Sequence, residues 1–345
     1  MGSCSEDDSK TPIEPVVEDN FIRAADMSYL PLIESENTVY YNADNQPEIA
    51  LTTLKNAGCN TIRIRLWKNP ADAHSGFNEV KTFAQRIKQA GMKVWLTVHY
   101  SDTWADPAHQ EKPAEWASLN FTNLKNEVAN YTTQIMTEIN PDIIQIGNET
   151  NDGMLWPEGK ITTNESQFLQ LVSAASSAIR SKSSTTKIML HYAGTSGSDW
   201  FFNKVANVDY DYIGLSYYPI WHGKDLNVVK NTINSLSATH NKKVIIAETA
   251  YPFTLDWNDW TNNIMGLESQ LITTYPATPA GQKSYLLAIK NLVKETTNGI
   301  GFCYWGSEWV AFRGTESTNG SSWENQALWD FNFNALPVME AFSKE

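Results

Sequence analysis

The sequence predicts an α/β fold, a single (β/α)8 barrel, from three observations. Short apolar, β-branched runs recur eight times, amphipathic stretches separate most of them, and no Gly-rich phosphate-binding turn follows the first run. The last point speaks against an open doubly wound sheet. Strands are expected at residues 21–27, 60–67, 93–99, 143–147, 187–191, 212–216, 243–248 and 299–305. Helices are expected at 48–57, 80–90, 124–139, 165–181, 225–240 and 281–296. Gly58, Gly91 and Gly299 stand where chains leave a helix for the next strand, the usual C-terminal stop. Two segments, 100–120 and 251–280, exceed plain connections, and long loops in compact domains are usually functional.

No linker divides the chain. Residues 21–345 are expected to form one domain behind a disordered tether of residues 1–20. The chain has 345 residues and a net charge of −13, which argues against a nucleic-acid partner. No run approaches the roughly 18 to 20 apolar residues of a membrane span. The polar start, with Cys4 followed by Ser5-Glu6-Asp7-Asp8, resembles a bacterial lipoprotein after signal-peptide removal. That resemblance implies a lipid on Cys4 as the sole membrane attachment and an extracellular or cell-surface location. Cys59 and Cys303 sit in apolar settings and are expected to be buried free thiols.

Active sites of such barrels lie at the C-terminal ends of the strands. Two carboxylates there follow runs that should be buried: Glu149 after Ile143-Ile144-Gln145-Ile146, and Glu248 after Val244-Ile245-Ile246-Ala247. On the fourth and seventh strands they face each other across the mouth, which suits paired acid and base work. Glycoside hydrolysis needs this pairing, one carboxyl to protonate the leaving oxygen and one to attack the anomeric carbon. Asn148 is positioned to hydrogen-bond a sugar 2-hydroxyl. Arg63 and Arg65 share a strand face, and either can hold Glu248 charged. For double displacement the carboxyls should stand about 5 to 5.5 Å apart.

The strings Ala25-Asp26-Met27-Ser28, Arg63-Ile64-Arg65-Leu66-Trp67, His99-Tyr100-Ser101-Asp102-Thr103-Trp104, Gly147-Asn148-Glu149, Tyr217-Tyr218-Pro219-Ile220-Trp221 and Ala247-Glu248-Thr249 resemble glycoside hydrolase family 53, the arabinogalactan endo-β-1,4-galactanases of clan A. The resemblance runs from about Phe21 to the C-terminus. It implies that Glu149 is the acid/base, Glu248 the nucleophile, and β-1,4-galactan or galactooligosaccharide the substrate, with no cofactor for catalysis and a monomeric enzyme. It also implies Trp305 as the floor under the cleaved sugar and Tyr217 near the nucleophile. Asp26, His99, Asp102, Trp104, His191 and Trp221 would contribute to substrate binding.

Of 13 Trp, nine (67, 104, 156, 221, 257, 260, 305, 309 and 323) fall at or after strand ends, as a polysaccharide cleft requires. The six His form no zinc motif. The resemblance implies a structural Ca²⁺ tying the seventh and eighth loops, with Asp259, Asn263 and Glu324 as ligands; Glu324 stands where Asp is usual. Two other functions suit parts of the pattern: a clan A endoglycanase acting on mannan, xylan or β-glucan, and a non-catalytic glycan-binding barrel.

Overall fold

The computed structural model describes residues 19–345; Cys4, the expected lipid site, and nearly all of the expected tether lie outside the described residues. Eight parallel strands close on themselves in sequence order: β1 (Ile22–Asp26), β2 (Thr61–Leu66), β3 (Lys93–Val98), β4 (Ile143–Ile146), β5 (Lys187–Ala193), β6 (Tyr212–Ser216), β7 (Lys243–Thr249) and β8 (Gly299–Tyr304). The expected (β/α)8 barrel is therefore what forms. Their near-continuous apolar sequences follow from burial on both faces, one toward the barrel axis and one toward the helices.

The axis divides into two chemical zones. Toward the N-terminal ends, Ile22, Ala24, Trp95, Ile143, Met189, Ile245, Ala247 and Cys303 form an apolar cluster distinct from the larger one between strands and helices. Gly214 belongs in this zone because a Cβ there would stand 2.7 Å from the Met189 sulfur. Toward the C-terminal ends, polar side chains take over, with Asp26, Arg63, His99, Gln145, His191, Ser216 and Glu248 all buried. A dry plug thus supports a polar mouth.

Outside run α1 (Leu30–Ser35), α2 (Ala50–Ala57), α3 (Phe77–Gln89), α4 (Phe121–Glu138), α5 (Ile161–Lys182), α6 (Ser198–Lys204), α7 (Pro219–His222), α8 (Leu226–His240) and α9 (Pro279–Lys294). Gly58 ends α2 in the left-handed region, φ 104°, as its position in the sequence predicts. Asn120 caps α4 and Thr278 caps α9 by accepting backbone N–H bonds. The sequence reading lacks α1, α6 and α7, which are one or two turns long and offer too few residues for a helical period. Helix α5 begins at Ile161 rather than 165, with a break at Asn164 (φ −138°) joining two helical pieces.

Of the described cysteines, Cys59 and Cys303 are buried and free, and burial pushes the Cys59 thiol up to about 12. No described helix is long and apolar enough to cross a membrane. The segment between β8 and the terminal 3₁₀ turn Pro337–Phe342 returns over the mouth, bringing Trp309 and Trp323 with it.

Candidate active site

The loops position two carboxylates at the barrel mouth. After β4 the chain turns sharply: Gly147 takes φ 75° and Glu149 takes φ 46°. A Cβ at Gly147 would lie 2.4 Å from the Thr150 methyl, so only glycine makes this turn. Glu248 lies near the end of β7, where the register slips. Leu215 pairs with Ile246, yet Ser216 pairs with Glu248, so a bulge turns Glu248 inward beside Ser216. A Glu149 oxygen and a Glu248 oxygen stand within 4.8 Å of each other. Both line a cavity of about 300 Å³ walled by Trp104, Trp221, Trp305, Trp309 and Trp323.

Arg63, fully enclosed on β2, answers the question of the two arginines. One guanidinium nitrogen donates to Asp26 at 2.8 Å, and the other donates to Glu248 at 2.7 Å and to Asn148 at 3.0 Å. Asp26 and Arg63 are register partners on neighbouring strands, which aims the guanidinium across the barrel. The Tyr218 hydroxyl donates to the second Glu248 oxygen at 3.0 Å. Burial pushes the Glu248 carboxyl up, and Arg63 and Tyr218 pull it back. Glu149 has weaker opposition: burial and the charge of Glu248 push it to about 8 against the Ser216 hydroxyl and the more distant Arg63. At neutral pH Glu149 keeps its proton. A half-buried acid and a cation-held base within 4.8 Å is an arrangement for proton transfer coupled to nucleophilic attack.

The other expected residues divide between the cavity and its supports. Trp104, Trp221, Trp305 and Asn148 line the cavity. Asp26 instead anchors Arg63 while accepting from Ser28, so it acts behind the surface. Arg65 does not reach Glu248: it donates to Ser75 and lies 4.1 Å over the Trp104 ring, bracing the wall. Tyr217 adjoins Glu248 as expected, its backbone N–H donating to the Glu248 carbonyl at 2.8 Å, but its side chain is fully buried and donates to the Gly223 carbonyl, so it is the Tyr218 side chain that touches the Glu248 carboxyl. Asp102 spends both oxygens on the backbone N–H groups of Asn69 and Ala114, joining two loops. His99 accepts from Ala105 N–H at 3.0 Å, and burial holds it well below the usual His range. His191 is completely buried behind Glu149 rather than at the surface.

Gln145, Ser216, Tyr218 and Glu308 receive no role from the sequence. Gln145 sits at the centre of the polar layer, accepting from Trp95 and reaching Asn148 and His191. Its place inside an apolar strand run was the available signal. Glu308 is fully buried after β8, accepts from Tyr29 N–H, and leaves Oε2 without a partner; burial, then Asp26, push it to about 8. Glu149, His191 and Glu248 come close enough to suggest a metal cluster, but both imidazole nitrogens are engaged.

The loop after β7 offers a second cluster of oxygens. Glu324, wholly buried, accepts from Asn258 and Asp259 N–H through Oε1, while its Oε2 and the Asn263 Oδ1 are buried without partners. Burial pushes Glu324 to about 7. Asp259 accepts from Thr261 and Ser321 N–H. Orphaned hard oxygens from two loops, one a carboxylate, fit a bound cation such as Ca²⁺.

The chain matches the sequence profile described as glycosyl hydrolase family 53 over residues 22–342. It is 35% identical to an arabinogalactan endo-β-1,4-galactanase of Cellvibrio japonicus, over 94% of this chain and 91% of that one. It is 31% identical to an endo-β-1,4-galactanase of Bacillus subtilis, over 94% and 85% respectively. Among solved structures, the Ignisphaera aggregans GH53 catalytic domain superposes with a TM-score of 0.89 at 36% identity, covering 95% of this chain and 97% of that one. A β-1,4-mannanase of family GH113 shares the barrel at 14% identity and a TM-score of 0.55, a likeness of fold alone. The agreement of profile, relatives and barrel makes this chain a member of glycosyl hydrolase family 53.

Proposed function

We propose that the protein is a retaining arabinogalactan endo-β-1,4-galactanase that also cuts galactooligosaccharides. Glu248 attacks the anomeric carbon as the bond to the leaving oxygen breaks, and Glu149 donates its proton to that oxygen. Water then gives a proton to Glu149 and attacks the same carbon, displacing Glu248. Two inversions leave the configuration unchanged. The observation that carries this reading is the carboxylate pair within 4.8 Å, one member held by Arg63 and the other protonated. The names of the Cellvibrio and Bacillus relatives support galactan over mannan, xylan or β-glucan. Trp305 and its neighbours offer aromatic faces for a galactose ring. The test is a product profile on linear β-1,4-galactan beside mannan, xylan and β-glucan, with release of short galactooligosaccharides from galactan alone expected. Cleavage of another polymer at equal rate would overturn the sugar assignment.

A structural Ca²⁺ held by Asp259, Asn263 and Glu324 belongs to the same proposal, supported by the orphaned Glu324 and Asn263 oxygens. It would tie the loops after β7 and β8 and take no part in a reaction step. Chelation should lower the melting temperature, because an ion bound only by the folded state stabilises it; an unchanged melting curve would remove the site. We further propose a monomer outside a bacterial cell, tethered through Cys4. Retention of a Cys4→Ser variant in the membrane fraction of the producing cell would refute the tether.

A further inference from the structure

A hydrogen-bond chain behind Glu149 has only one possible direction. The Glu149 backbone N–H donates to His191 Nδ1 at 3.2 Å, and the Gln145 amide nitrogen reaches the same atom at 2.9 Å. The Gln145 amide is itself oriented, since its oxygen accepts from the Trp95 indole N–H at 3.2 Å. A ring nitrogen that accepts carries no proton, so the imidazole proton is on Nε2. Nε2 therefore donates to Ser216 Oγ at 2.9 Å, and the single Ser216 proton goes to Glu149 Oε1 at 2.6 Å. His191 and Ser216 are both 0% exposed, so no water competes for the bond between them.

We propose that His191 and Ser216 are positioning residues that fix Glu149 Oε1 as a permanent acceptor, so that Oε2 is the oxygen that gives up the transferable proton and takes one back in each cycle. This rests on the acid/base reading of Glu149 given above. No donor among the described residues reaches Oε2, which leaves it free for the leaving oxygen and then for water. The chain starts at the Glu149 main chain and returns to the Glu149 carboxyl, so the left-handed turn and the side-chain rotamer are set together. Neither residue touches substrate, and neither gains or loses a proton. The same donor serves both half-reactions, and its bond tightens when Glu149 becomes a carboxylate.

The charged and titratable groups around Glu149 are Glu248 from β7, Arg63 from β2, Asp106 from the loop after β3, His191 from β5 and Tyr218 after β6. Ser216 is the donor bonded to its carboxyl. Removing it withdraws support from the charged form, so the Glu149 pKa should rise by about one unit. The experiment compares wild type with Ser216→Ala and Ser216→Thr in two ways. One is the pH profile of kcat/KM on linear β-1,4-galactan. The other is direct infrared titration of the Glu149 carboxyl, identified by its loss in Glu149→Gln.

Ser216→Ala should move the alkaline limb and the carboxyl titration upward together. It should lower kcat roughly 10- to 100-fold with little change in KM. Ser216→Thr, which keeps the hydroxyl, should bring the titration back toward wild type. A Ser216→Ala protein that is folded and titrates as wild type overturns the proposal. If that variant does not fold, the same titration of His191→Asn decides, an unmoved value again overturning it. A carboxyl titration that shifts in a chain unable to cut galactan supports the positioning role of Ser216 and His191 and counts against the substrate reading alone.

Discussion

Glu149 and Glu248 come within 4.8 Å of each other in one cavity and differ almost entirely in what stands behind them. Behind Glu248 is a guanidinium bonded at 2.7 Å and a phenol at 3.0 Å. Behind Glu149 is one neutral hydroxyl and, beyond it, a neutral imidazole. Burial acts on both in the same direction, so it cannot separate their roles. The supporting groups do, and each carboxylate acts on the other, since the charge on Glu248 helps keep the proton on Glu149.

Removing either carboxyl tests the division most severely. Glu248→Ala should abolish turnover of galactan while leaving its binding measurable by calorimetry. Glu149→Gln should lower kcat about 10²- to 10⁴-fold on galactan. The loss should shrink on an aryl galactoside whose leaving group needs no proton. Equal losses on both substrates would contradict a role for Glu149 as acid. In the wild type, activity should fall as pH rises through about 8, where Glu149 loses that proton.

Arg63→Lys probes the other side. A single ammonium cannot span Asp26, Asn148 and Glu248 as the planar guanidinium does. The Glu248 carboxyl should then lose support for its charge, moving the acid limb of the pH profile upward and lowering kcat/KM roughly 10- to 100-fold. An unmoved acid limb would show that Arg63 does not set the nucleophile.

The smallest effect is on stability. Glu308 has no cation bonded to it, like Glu149, but is fully buried, and it ionises only near 8 when folded against 4.5 ordinarily. Between those values the folded chain holds a proton that the unfolded chain releases, so stability falls as pH rises through this window. Glu308→Gln cannot ionise. It should melt a few °C higher than wild type at pH 8 and equally near pH 4.5, read by calorimetry at both values.

Much of this was visible in the sequence, and the failures have local causes. The eight strands announced themselves because burial on two faces leaves apolar runs, and Glu149 and Glu248 stood out at the ends of such runs. Arg63 and Arg65 could not be told apart because alternation gives them the same face; the choice is made by Asp26 on the neighbouring strand. Tyr217 came from the resemblance and does adjoin Glu248 through its backbone N–H, while the contact of the Tyr218 hydroxyl with the carboxyl depends on a register slip between β6 and β7 that leaves no mark in the sequence. Asp102 came from the resemblance, and its role in joining two loops was not legible because its partners are backbone N–H groups, which carry no residue signature. Glu308 lies in an aperiodic segment where burial leaves no pattern.

The dry plug of Trp95, Met189, Ile245 and their neighbours closes the barrel from below, so the door to the reaction chamber lies at the mouth. In a double displacement, the fragment that leaves and the water that follows must pass through that door in turn. While a sugar hydroxyl still occupies the vacated place, it stands where water would attack, and it can accept the glycosyl group in water's stead. The fate of each covalent intermediate is therefore a race between departure and arrival at one opening, and crowding the medium with short galactans should bias that race toward longer products.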